Sequence, residues 1–365
     1  MLVDRYNHGR IGLAAVLALF LAACGGGGGG GGGGGSAKSC SEQFNPETAQ
    51  ATPDQCQADD YRLTQCDELG FRSPFNASEP ADCTKGGADG GVVSTMHTVT
   101  AGEYTVNYWM LKPASGGKKG LYVGLHWRTG NGATMANQMR FPELAKARDI
   151  TVIVPDSPYN ALLGLTISDW DFEGNEVALA AVVADAKVRA GVSGPLVMAG
   201  ASSGVAAALR FYCSSQGSQL DGLLLVAAGA LTESSAAACL NSTASVAAKA
   251  TSPVPVALVR GAEDSSSDDV EATYAQFQSV NGCSGTGQTL ALNAQVDIEY
   301  NTNCSEGVAL VTVKNGGHNW PGMDRPLESN PIPVPGSGLG FNLFGRVSYD
   351  FDATIQGYDL VRYLD

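Results

Sequence analysis

Ser202 lies in Gly200-Ala201-Ser202-Ser203-Gly204, a Gly-x-Ser-x-Gly pattern that closes a short apolar run from Pro195 and opens an alanine-rich helical stretch, Val205 to Cys213. A strand that turns sharply into a helix lifts a serine hydroxyl above the sheet edge, in position to attack a carbonyl carbon. The two glycines take side chains out of a turn that must close on neighbouring backbone. The helix aims its first amides at the place where negative charge would develop. A serine hydroxyl is a weak nucleophile unaided, so this chemistry calls for a base to take its proton and an acid to hold that base.

The chain has four histidines, His8, His97, His126 and His318. His8 falls in a segment that reads as a cleaved leader. In a strand-turn-helix hydrolase the order is nucleophile, acid, histidine, and only His318 follows Ser202. It stands in Gly316-Gly317-His318-Asn319-Trp320-Pro321-Gly322, after the apolar run Val308 to Val313. A glycine-rich loop at a strand end lets an imidazole reach a neighbouring strand end. The acid belongs on another strand end between the two. Val254 to Arg260 reads as a buried strand that Gly261-Ala262-Glu263-Asp264 breaks, which favours Asp264, with Glu263, Asp268 and Asp269 as competitors. The amide of Ser203, the residue after the nucleophile, is the expected first donor to an oxyanion.

These segments, with Asn281-Gly282-Cys283 between them and Ser348-Tyr349-Asp350-Phe351-Asp352-Ala353-Thr354 before a final amphipathic helix, resemble the extracellular polyhydroxybutyrate depolymerase and feruloyl esterase group of the α/β-hydrolases. The resemblance covers roughly Met96 to Asp365, and its most specific element is the Gly-His-x-Trp-Pro-Gly run. It implies carboxylester hydrolysis through an acyl-serine intermediate and needs no cofactor. The implied partner is an ester: hydroxyalkanoate polyester, insoluble polymer included, or its oligomers, with feruloyl or acetyl esters on plant polysaccharide as the alternative. One departure stands out. The group carries His-Gly-x-x-Gly after its first buried strand, whereas here Leu121 to Leu125 leads into His126-Trp127-Arg128-Thr129-Gly130, with Trp127 in place of glycine. The second oxyanion donor is then expected to be the Arg128 amide. Trp127 and Trp320 are candidate substrate-binding residues, although Trp320 could equally brace the histidine loop. His126 reads as a structural loop residue and His97 as a surface or strand-edge one. Trp127 also keeps open a non-catalytic, ligand-binding lipoprotein on a hydrolase scaffold, and a peptidase would share the same triad. No histidine pair has ligand spacing, so no metal site is expected.

The elements that would position these residues alternate between short apolar runs and helical stretches from Val92 onward, the mark of an α/β protein. The expected architecture is an α/β-hydrolase fold, a mostly parallel central sheet flanked by helices, with a disulfide-stapled extension before it. Val99 to Leu111 reads as one or two strands; Ile150 to Val154 and Leu223 to Val226 read as further ones. Pro142 to Arg148 reads as a helix. Asn175 to Arg189 is a second, with Val177, Leu179, Val182 and Val183 on its apolar face. Residues 92–365 form one catalytic domain. The glycine- and proline-rich stretch from Pro326 to Gly345 is long for a connection and is a candidate lid or site wall.

The remaining segments concern where the protein works. Arg5 and Arg10 precede the apolar run Ile11 to Ala23, the form of a secretory leader too short to span a membrane as a helix. Leu21-Ala22-Ala23-Cys24 resembles the bacterial lipoprotein processing box, which implies residues 1–23 as signal peptide and lipid attachment to Cys24. Gly25 in place of aspartate then favours the outer membrane in Gram-negative sorting. Eleven glycines, Gly25 to Gly35, make residues 24–39 a tether spanning roughly 20 Å up to Ser39. Eight cysteines remain after Cys24, an even number that reads as disulfides in an exported chain. Sequence does not fix the connectivity; position suggests Cys283 with Cys304 and Cys213 with Cys239, which would leave Cys40, Cys56, Cys66 and Cys83 to pair among themselves and staple the polar segment 40–91. That segment reads first as an extension packed on the main domain and second as a substrate-binding accessory. The formal charge is −14, and −15 once the leader's net +1 (Asp4, Arg5, Arg10) is removed. Such acidity argues against nucleic acid, polyanionic glycans or an acidic membrane face as partners.

Overall fold

The computed structural model describes residues 44–46, 88–89, 91–128, 130–158, 170, 174–228, 252–264, 270–323, 332–333, 340–341 and 347–365. Eleven strands of these residues make one sheet: β1 (Ala88–Asp89), β2 (Val92–Ala101), β3 (Tyr104–Pro113), β4 (Leu121–Leu125), β5 (Thr151–Pro155), β6 (Leu196–Ala201), β7 (Gly222–Val226), β8 (Val256–Gly261), β9 (Gln288–Asn293), β10 (Val296–Asn301) and β11 (Val308–Val313). Their spatial order is β1-β2-β3-β5-β4-β6-β7-β8-β11-β10-β9. From β5 through β4, β6, β7 and β8 to β11 every pairing is parallel. The flanks, β1-β2-β3-β5 on one side and β11-β10-β9 on the other, are antiparallel. A parallel centre with β4 and β5 exchanged, entered through an antiparallel strand, is the α/β-hydrolase arrangement that the sequence led us to expect.

Burial explains which strands lie where. Every residue of β4, β5, β6 and β7 is buried, and these strands read as unbroken apolar runs because helices cover both faces. The helices are α1 (Gly132–Gln138), α2 (Phe141–Arg148), α3 (Asn175–Ala190), α4 (Ser203–Cys213), α5 (Val270–Val280) and α6 (Ile355–Tyr363). Side-chain alternation along each strand divides the core in two. Tyr122, Val152, Val197 and Leu224 pack on one face with α1, α2 and α6. Val123, Ile153, Met198 and Leu223 pack on the other with α3, α4 and α5.

Several sequence expectations need correction. The hairpin strands begin at Val92, earlier than Val99, and a turn at Gly102 separates them. In α3, Leu179, Val182 and Val183 are buried as expected, but Val177 is 53% exposed, and Ala178 and Ala186 take the inward positions instead. The last helix is not amphipathic in its setting: every residue from Ile355 to Val361 is buried.

Cys283 and Cys304 form a disulfide that joins the end of α5 to the β10–β11 connection. Cys213 is also disulfide-bonded. Its expected partner Cys239 lies outside the described residues, as do Cys40, Cys56, Cys66, Cys83, the leader, Cys24 and the glycine tether. Of the segment 40–91, Phe44 donates its amide to Asp359 Oδ2 at 2.7 Å and sets its ring edge-on to Phe351. The stretch 326–345 is described only at Ile332–Pro333, paired antiparallel with Gly340–Phe341.

Candidate active site

Three strand ends meet at the C-terminal edge of the parallel sheet, where ligands collect in open α/β folds. Ser202 follows β6 and takes φ 53°, ψ −116°, a conformation that L-residues rarely adopt. The turn closes only because its neighbours lack side chains. A Cβ at Gly200 would lie 2.4 Å from the Gly204 backbone, and one at Gly204 would lie 2.1 Å from the Leu125 carbonyl. Ser203 is the first residue of α4, so its N–H is among the first-turn amides that have no intrahelical acceptor.

Asp264 ends a turn after β8 whose amide donates back to the Gly261 carbonyl. Gly261 is the point where the β8 and β11 ends approach each other: a Cβ there would sit 2.2 Å from the Gly316 carbonyl. That approach delivers His318, on the loop after β11, between the other two residues. His318 Nδ1 lies 2.7 Å from Asp264 Oδ2, and His318 Nε2 lies 2.8 Å from Ser202 Oγ. A carboxylate accepts only, so Nδ1 carries the proton and Nε2 is left to accept from the serine hydroxyl. Asp264 is buried while Glu263 is exposed; Asp268 and Asp269 lie outside the described residues.

The loop after β4 is organised by His126, which is fully buried. The Ser157 backbone amide donates to His126 Nε2 at 3.1 Å. Nδ1 must therefore hold the ring's proton, which it donates to the Trp127 carbonyl at 2.7 Å. The same carbonyl accepts from Gly130 N at 2.9 Å. His126 thus has a positioning task that sequence inspection reads only as structural.

A small, partly open cleft lies over Ser202. Ser202, His318, Trp127 and Trp320 line it, together with Met139, Ala201, Ala227, Asn319 and Met323. Ala227 is a second non-glycine residue of positive φ at this site, at 50°. Of the two tryptophans expected to bind substrate, both reach the cleft. Trp320 also braces: its indole donates to Thr354 Oγ1 at 3.0 Å, and Thr354 Oγ1 donates to the Met139 carbonyl at 2.5 Å. Sequence gave no sign of Met139, Met323 or Arg140. Arg140 pairs bidentately with Glu143, pairs through Nη1 with Asp352 Oδ2 at 3.1 Å, and donates to the Gly322 carbonyl at 3.2 Å, tying the end of the histidine loop to the start of α2. Among the described residues, no three His, Cys, Asp or Glu side chains group as a metal site would need.

No protein-family model matches the chain, and no curated protein matches it. Among solved structures the chain is similar to an acetyl xylan esterase from Aspergillus awamori, with 14% identity, 61% of this chain and 94% of that chain covered, and a TM-score of 0.48. It is also similar to a cold-adapted esterase from an Arctic intertidal metagenomic library, at 16% identity, with 53% of this chain and 82% of that chain covered and a TM-score of 0.39. A third is an S-formylglutathione hydrolase from Agrobacterium tumefaciens, at 13% identity, with 50% and 80% covered and a TM-score of 0.39.

Proposed function

We propose that this protein is a serine carboxylester hydrolase that works through an acyl-serine intermediate. The observation that carries the reading is the unbroken hydrogen-bond chain from Ser202 Oγ through His318 to Asp264. His318 Nε2 takes the hydroxyl proton as Oγ attacks the ester carbonyl, and Asp264 stabilises the imidazolium that forms. The first-turn amide of Ser203 and the Arg128 amide hold the oxyanion. The imidazolium then protonates the leaving alcohol, and neutral His318 activates the water that releases the acid. The favoured substrates are hydroxyalkanoate oligomers or polyester, on the strength of the Gly-His-x-Trp-Pro-Gly resemblance and a cleft lined largely by thioether, alanine and indole groups. Export, with a lipid on Cys24 and a glycine leash, would bring such an enzyme to material too large to enter the cell.

Incubation with a fluorophosphonate probe tests the reading, because only an activated serine reacts well. Labelling of the wild type, its loss in Ser202→Ala, and loss of p-nitrophenyl butyrate turnover in the same variant are expected. An unlabelled wild type would reject the hydrolase and favour the ligand-binding scaffold.

A further inference from the structure

Trp127 is 3% exposed, and its indole Nε1 has no hydrogen-bond partner. A buried donor left unpaired carries its full desolvation cost, so such groups in a native structure call for an explanation. Trp320 lines the same cleft but gives its indole N–H to Thr354. Trp170 also has an unpaired indole nitrogen, but it packs against His126 and is not among the residues lining the cleft. Trp127 alone of these three combines an unpaired donor with a place beside Ser202 and His318.

The chemistry proposed above does not use that donor. Oγ and the imidazole act on the scissile bond, and backbone amides serve the carbonyl oxygen. The Trp127 side chain lines the same cleft as Ser202 and His318, where the first carbons of an acyl chain bound to Ser202 must lie. No lysine or arginine is among the lining residues, so the cleft suits a neutral oxygen better than a carboxylate. We infer that Trp127 is a specificity-determining residue whose indole N–H receives an oxygen on the acyl chain beyond the scissile carbonyl. In a 3-hydroxyalkanoyl ester that oxygen is the 3-hydroxyl, and in an oligomer it is the ester oxygen of the next unit. This inference rests on the ester-hydrolase reading. It also gives the replacement of glycine by tryptophan a function: a donor for the substrate in place of an open loop.

The test compares p-nitrophenyl 3-hydroxybutyrate with p-nitrophenyl butyrate, using full-length wild type and Trp127→Phe. A site built around a donor disfavours the analogue that leaves it unpaired. Wild type should favour the hydroxy ester in kcat/KM by about tenfold or more. Trp127→Phe should bring that ratio close to one, the hydroxy ester losing more than butyrate. Wild type that turns over both esters equally overturns the inference, and this measurement does not depend on the variant folding. So does a variant in which both esters fall by one common factor, which would make the indole an oxyanion donor or a packing group. Absence of turnover with either ester in wild type would instead overturn the hydrolase reading and this inference with it.

Discussion

The Ser202 amide donates to the Val226 carbonyl at 3.0 Å, so the Ser202 backbone is tied to the end of β7 at the point where it takes φ 53° and ψ −116°. The sheet holds the strain, and the strain presents the hydroxyl. Ser202→Gly and Ser202→Ala should both be inactive yet differ in stability. Alanine keeps the disfavoured φ, whereas glycine relieves about 1–3 kcal/mol of strain and gives back about 0.5–1 kcal/mol in chain entropy. Ser202→Gly should therefore be the more stable variant by about 1 kcal/mol in urea unfolding. Equal midpoints would mean that the elbow is not strained.

Asp264 and Glu263 adjoin in the chain but not in environment, one buried against His318 and the other exposed. Asp264→Asn can turn its amide N–H toward Nδ1, moving the ring proton to Nε2, where it blocks proton transfer from Ser202. We expect kcat for p-nitrophenyl butyrate to fall by roughly 10⁴-fold, with little change in Tm. Glu263→Gln should stay within about twofold of wild type. The opposite ranking would move the acid role to Glu263.

How much of this could be read from the chain depends on which physical signal each part carries. β4, β6, β7, β8 and β11 are legible because strands covered on both faces become unbroken apolar runs. The elbow is legible because only glycine fits at 200 and 204, so the constraint is visible as residue type. Asp264 is legible only as one of four acids, since burial, which separates it from Glu263, leaves no local trace. The same limit explains Val177. α3 carries Val177 and Val188 outward and Ala178 and Ala186 inward, so its apolar residues do not mark a single stripe. Met139 and Arg140 reach the site from a helix junction that no motif announces. The burial of Trp127 depends on His126 folding back its carbonyl, a contact set by Ser157 from a different strand end.

His97 provides a pH test away from the site. Burial first, then the nearby Arg189 charge, hold its imidazole below the ordinary histidine range, against an opposing pull from Asp185. The folded chain therefore resists a proton that the unfolded chain accepts. Its contribution to stability is intact above about pH 6.5 and is lost as pH falls from there through the lower folded value. His97→Gln removes that titration. The Tm drop between pH 7.5 and pH 5 should be smaller in His97→Gln than in wild type, and an identical drop in both would exclude this linkage.

Arg148 and Asp359 form a two-pronged pair between α2 and α6, with Nε at 2.7 Å and Nη2 at 2.6 Å from the two carboxylate oxygens. Their side chains are 4% and 1% exposed, and the same carboxylate accepts the Phe44 amide. Removing one partner strands the other charge in a dry interior, whereas removing both does not. Asp359→Ala should cost about 3–5 kcal/mol in urea unfolding. Arg148→Met combined with Asp359→Leu should recover most of that loss, because apolar packing can replace a desolvated ion pair. Because neither residue lines the cleft, any turnover of p-nitrophenyl butyrate by the wild type, measured well below the midpoint of unfolding, should be retained in the double variant. A double variant no more stable than Asp359→Ala would show that the pair itself, and not the stranded arginine, accounts for the loss.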